Sequence, residues 1–60
     1  MLFLKATTKE GNLEYFNVQN ILSMQPQGEN NQYLKILMGT GLYWVLLTET
    51  IELVKLENIF

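Results

Sequence analysis

A chain of 60 residues makes one domain at most, spanning residues 1–60, and this one carries four Lys and six Glu but no Cys, His, Asp or Arg, for a formal charge of −2. Those four missing types supply most metal ligands, activated nucleophiles, proton shuttles near neutral pH and bidentate readers of phosphate or guanine. The composition therefore weighs against an enzyme, a metal site, a bound cofactor and a basic nucleic-acid-binding surface.

Leu2-Phe3-Leu4-Lys5-Ala6-Thr7 alternates, with Leu2, Leu4 and Ala6 on one face, which predicts a half-buried strand. Lys9-Glu10-Gly11-Asn12 supplies turn chemistry, and Leu13 to Val18 reads as a second strand, closing an antiparallel hairpin. A third short strand is predicted over Ile21 to Gln25, ended by Pro26, which cannot donate to a central ladder. Gln27 to Asn31 has the composition of an exposed loop that should accept an insertion.

Gln32 to Met38 reads as a fourth strand with Leu34, Ile36 and Met38 inward, and Gly39-Thr40-Gly41 as a tight connection. The fifth strand, Leu42 to Leu47, is apolar at every position, the pattern of a strand covered on both faces. After it, Thr48 suits a helix cap, while Glu49 and Glu52 near the start and Lys55 near the other end suit a helix dipole. A short C-terminal helix is therefore predicted over residues 49–60, with a sixth strand as the rival, and no internal repeat is read. The fold class expected is mainly β: an antiparallel meander of about five strands with a C-terminal helix, completed by oligomerisation.

The aromatic group Tyr15, Phe16, Tyr33, Tyr43 and Trp44 is the leading candidate for a functional surface, since Trp and Tyr dominate the centres of binding interfaces. Its competing reading is ordinary core and cross-strand pairing. Tyr43 and Trp44 are neighbours on a strand and so point to opposite faces, and one of them is expected to meet something outside the monomer core. The interface candidates are Tyr43, Trp44, Leu46, Tyr15 and Phe16.

Lys5, Lys35 and Lys55 beside aromatics suggest a platform for single-stranded nucleic acid, but the negative net charge favours solvated lysines guarding sheet edges. Glu49 with Glu52 and Glu10 with Glu14 suit a helix start and a hairpin turn better than acid–base chemistry. Ser23 has no histidine to activate it, and no lysine follows Gly39-Thr40-Gly41 as a phosphate loop requires. No signal peptide and no membrane span are read, because Lys5 interrupts the first apolar run and the longest such run is Leu42 to Leu47.

The hairpin with Gly11, Asn17 followed four residues later by Ile21, the glycine turn at Gly41 and Glu49 opening an apolar tail resemble the very small bacterial proteins of the FlbD/SwrD flagellar-motility type. A more distant similarity is to the β-rich LytTR domain, whose basic and amide-rich base-reading loops this chain lacks. Gly41 and Glu49 stand one residue further apart than the motility pattern has them. The resemblance implies a small β fold and an accessory character, and carries no binding residues. A domain of this size buries only about 60% of its unfolded surface, and with no disulfide or zinc site available it is expected to gain stability against another chain. The expectation is a non-enzymatic, self-associating accessory or regulatory protein, cytoplasmic, bacterial or phage-encoded, with a further host or cellular protein as a candidate partner. A nucleic-acid regulator built on an oligomer-assembled lysine patch is the alternative.

Overall fold

The computed structural model describes residues 1–57. It contains six strands, β1 (Leu2–Thr7), β2 (Leu13–Asn17), β3 (Ile21–Gln27), β4 (Tyr33–Met38), β5 (Tyr43–Leu47) and β6 (Glu52–Lys55), with single 3₁₀ turns at Val18–Asn20 and Thr48–Thr50. The alternating segments form strands as read. Gly11 and Gly41 turn the β1–β2 and β4–β5 hairpins at φ +96 and +89, a backbone region that costs an L side chain strain.

The strands make two antiparallel three-stranded sheets, ordered β2-β1-β6 and β3-β4-β5, rather than one meander. Each 3₁₀ turn carries the chain away from the hairpin it has just left. β3 therefore pairs with β4 instead of β1, and β6 returns to pair with β1. The mutual hydrogen bonds of Met1 and Leu56, at 3.0 and 2.8 Å, extend that pairing by one residue beyond Leu2 and Lys55.

Two expectations are corrected here. The first is the C-terminal helix: residues 48–50 form one 3₁₀ turn and Glu52–Lys55 is a strand, while residues 58–60 of the expected helix lie outside the described residues. The free edge of β1 offers a ladder of backbone partners that a helix would leave unmet, and β-branched Ile51 and Val54 favour extended backbone. Thr48, expected as a helix cap, instead donates its hydroxyl to the Asn31 carbonyl at 2.8 Å. Thr50 accepts from the Thr7 amide at 2.9 Å and donates to the Leu47 carbonyl at 2.7 Å, pinning the turn to β1.

The second correction is that the chain does contain a repeat, in its backbone. The two 3₁₀ turns start at Val18 and Thr48, 30 residues apart, and each is closed by the amide of Ile21 or Ile51 donating to its first carbonyl. The hairpin bonds Thr8 N to Asn12 O and Gly11 N to Thr8 O recur as Met38 N to Leu42 O and Gly41 N to Met38 O. Exchanging β1 with β4, β2 with β5 and β3 with β6 converts one sheet order into the other. The molecule is thus two β-β-β units of like connectivity, each lending its third strand to the other.

Leu4, Ala6, Phe16, Ile36 and Leu46 form the buried core, with Val18, Ile21, Leu34, Met38, Trp44 and Ile51 packed around it. The sheets join on one side, where Thr8 bridges Leu46 and the Lys9 amide donates to the Val45 carbonyl at 2.8 Å. The exposed surface, 4509 Å², is above the about 4,000 Å² expected for a compact monomer of this mass.

β3 runs two residues further than read, through Pro26 to Gln27, because it is an edge strand among the described residues and an edge tolerates the missing amide. The following connection is exposed throughout, as expected, but is anchored at its end by Thr48, whose amide donates to Gln32 O at 2.9 Å. Inserting two or three Gly or Ser residues between Glu29 and Asn30 should cost about 0.5 to 1 kcal/mol of closure entropy and leave the fold intact. A urea midpoint on the purified variant checks this, and loss of folding would show that the Thr48 anchor depends on the connection's length.

Candidate functional site

The two faces of β3-β4-β5 have different environments. Inward, Met24, Ile36 and Trp44 form one row and Pro26, Leu34 and Leu46 the next. Outward stand Ser23, Leu37 and Tyr43, then Gln25, Lys35 and Val45, then Gln27, Tyr33 and Leu47. No element covers this outer face among the described residues. Tyr43 is 61% exposed on it, and Leu37, Val45, Leu47 and Tyr33 are half-buried. The all-apolar pattern of the fifth strand is therefore met on one face by the core and on the other only by partial shelter from neighbouring side chains.

Lys35 lies at the centre of this face with its Nζ 4.4 Å from the Tyr43 ring centroid. Lys9 reaches over Tyr33 at 5.0 Å, brought there by the bond between its own amide and Val45. Both cations thus rest on aromatic rings, and none of the nine residues in the three outward rows is a carboxylate. The face is a mixed aromatic, aliphatic and cationic surface.

The expected aromatic cluster is divided by the sheets. Phe16 and Trp44 meet inside, centroids 5.4 Å apart and planes at 65°, in an edge-to-face contact. Tyr33 and Tyr43 share the outer face just described, while Tyr15 sits 48% exposed on the outer face of the other sheet. Among the interface candidates, Phe16 and Leu46 are core residues, Trp44 is half-buried and inward, and Tyr43 and Tyr15 are accessible. Lys5, Lys35 and Lys55 are not brought together: Lys5 and Lys35 lie on different sheets and Lys55 pairs with Glu57 at 3.0 Å on the surface.

Sequence reading missed a second apolar region. A groove of about 510 Å³ opens between β3 and β6, lined by Leu2, Leu4, Val18, Ile21, Met24, Leu34, Ile51 and Leu53. Of these, Leu4 is buried, Val18, Ile21, Leu34 and Ile51 are half-buried, and Leu2, Met24 and Leu53 are exposed. The clue in the sequence was the recurrence of Leu-Lys at 4–5 and 34–35 and of Ile at 21 and 51. Among the described residues, no three carboxylates come together to hold a metal ion, and no helix is long and apolar enough to cross a membrane. In comparisons with protein-family models, curated proteins and solved structures, none matches this chain.

Proposed function

We propose that this protein is a non-enzymatic accessory or regulatory factor of the cytoplasm that acts by protein–protein contact and associates with itself. The observation that carries the reading is the uncovered outer face of β3-β4-β5, with Tyr43 61% exposed on a strand whose every residue is apolar. Exposed aromatics ringed by half-buried aliphatics are the usual anchors of a protein interface, where they fill pockets on a partner and exclude water. The central Lys35 and the neighbouring Lys9 suit a partner that presents carboxylates. Self-association is supported by the small core of five buried hydrophobic residues among those described and by the apolar surface left outside it.

A nucleic-acid partner is the second reading, favoured by the pairing of Tyr33 and Tyr43 with lysines on one sheet face, where bases stack beside cations. Only two lysines contribute, so few counterions would be released on binding. Melting the protein across a hundredfold dilution, with sedimentation at each concentration, is the deciding experiment. Self-association requires the melting temperature to fall on dilution as the mass falls. A constant melting temperature with a monomeric mass throughout would remove self-association, and steeply salt-weakened binding of an oligonucleotide would favour the second reading.

A further inference from the structure

We propose that a pocket on the outer face of β3-β4-β5 is a seat for a carboxylate, and that its occupant is an acidic side chain on a segment of a partner protein. This rests on the protein-contact reading above and names the chemistry the face recognises. The pocket, of about 180 Å³, is lined by Ser23, Gln25, Lys35, Leu37 and Tyr43, drawn from all three strands of the sheet. Ser23 and Tyr43 both stand opposite Leu37, and Gln25 opposite Lys35 one row along, so the five share one face. The Lys35 ammonium, the Ser23 and Tyr43 hydroxyls and the Gln25 amide are all donors, and no carboxylate is among them. The Lys35 Nζ rests 4.4 Å from the Tyr43 centroid, which holds the charge at the pocket.

The other sheet shows what this lysine lacks. Lys5 also stands on a middle strand, β1, and its two cross-strand neighbours are Tyr15 and Glu52. Opposite charges facing each other across a ladder attract, so Lys5 has a countercharge built into its sheet. Lys35 faces Gln25 and Val45 instead, and the rows on either side of it hold no acid. Glu49, the carboxylate that borders this face, lines a different pocket at the Tyr33 and Leu47 end. Among the described residues, the ion pair present is that of Lys55 with Glu57. The charge of Lys35 is therefore left for a partner to meet, although the chain has six Glu against four Lys.

One ammonium among neutral donors matches the single charge of a carboxylate. A nucleic acid brings a phosphate with every nucleotide, whereas this face holds two lysines, Lys35 and Lys9. Leu37, Val45 and Leu47 lie half-buried in and beside the pocket and suit aliphatic side chains flanking the acid. The occupant is thus a Glu or Asp with apolar neighbours on a protein segment.

The probes are two pools of capped nine-residue peptides, random except for a central Glu in one and a central Gln in the other, selected on immobilised wild-type protein. The Glu pool should supply the tighter binders. In fluorescence polarisation, replacing the central Glu of a selected peptide by Gln should weaken binding about tenfold or more. That exchange is measured on wild-type protein and does not depend on any variant folding. Lys35→Gln should cost the same factor for the Glu peptide and little more for the Gln peptide, because both changes remove the same contact. Lys5→Gln removes an equal charge from the other sheet and should leave the affinity unchanged. Equally tight binders from both pools, weakened by Tyr43→Ala but not by Lys35→Gln, would overturn the carboxylate seat while leaving the face a protein contact. An equal loss in Lys5→Gln would overturn it too, by reducing the effect to net charge. Displacement of the Glu peptide by inorganic phosphate at lower concentration than by N-acetylglutamate would assign the pocket to phosphate, and a dilution-dependent mass altered by Lys35→Gln would put a second copy there; either result defeats the proposal. If neither pool yields a binder that Tyr43→Ala weakens, the protein-contact reading of this face falls with it.

Discussion

Leu46→Ala is expected to unfold most of the chain at ambient temperature or to lower its melting temperature by at least about 10 °C. Leu46 is fully buried, stands beside Leu34 on the inner face and is bridged by Thr8 where the two sheets join. Removing a buried leucine side chain costs about 2 to 5 kcal/mol, because the surroundings collapse only partly onto the space left. At roughly 0.05 to 0.15 kcal/mol per residue, a 60-residue domain has only about 3 to 9 kcal/mol in total. Ile36→Ala, also at zero exposure, should act alike, whereas Leu22→Ala, 67% exposed at the bulge, should change stability by about 0.5 kcal/mol or less. Thermal melts followed by circular dichroism check all three. Similar melting temperatures for Leu46→Ala and Leu22→Ala would mean that the inner face is not the core.

The second large effect separates two adjacent aromatics. Trp44→Ala removes an inward side chain that packs on the core and meets Phe16 edge to face, and should cost about 3 to 5 kcal/mol. Tyr43→Ala removes a ring 61% exposed on the opposite face and should cost about 1 kcal/mol or less, chiefly its contact with the Lys35 ammonium. Far-ultraviolet spectra and urea midpoints of the two variants should therefore diverge, with Tyr43→Ala folded and Trp44→Ala largely unfolded. Equal losses would place Tyr43 in a buried environment and remove the exposed face on which the protein-contact reading rests.

Four of the strands were legible because each depends on a local period of two. Leu2, Leu4 and Ala6 alternate with Phe3, Lys5 and Thr7, and the face they define is the one turned to the core. Leu34, Ile36 and Met38 did the same for β4, and Gly11 and Gly41 marked two of the turns that need positive φ. The candidate surface was legible only as an alternative: adjacency put Tyr43 and Trp44 on opposite faces, but which face the core takes depends on what packs above it. Trp44 is inward because the edge of Phe16 and the row of Ile36 are there.

The C-terminal segment shows where local reasoning ends. Glu49, Glu52 and Lys55 suit a helix dipole, yet the ladder that β1 offers lies some fifty residues earlier in the chain, and a pattern of nearest neighbours carries no record of it. The repeat was hidden for a related reason. Between residues 1–30 and 31–60 only Leu4/Leu34, Lys5/Lys35, Gly11/Gly41 and Ile21/Ile51 are identical. Ala6 and Ile36, or Phe16 and Leu46, fill equivalent buried places with different shapes, since a core constrains polarity and total volume more tightly than identity. Composition and alternation alone thus determine a small β protein without the usual reagents of catalysis, with two glycine-turned hairpins and known inward faces. The exchange of third strands, the open groove between β3 and β6 and the exposed side of Tyr43 were decided by the tertiary structure, because each depends on which distant edge satisfies the backbone of β3 and β6.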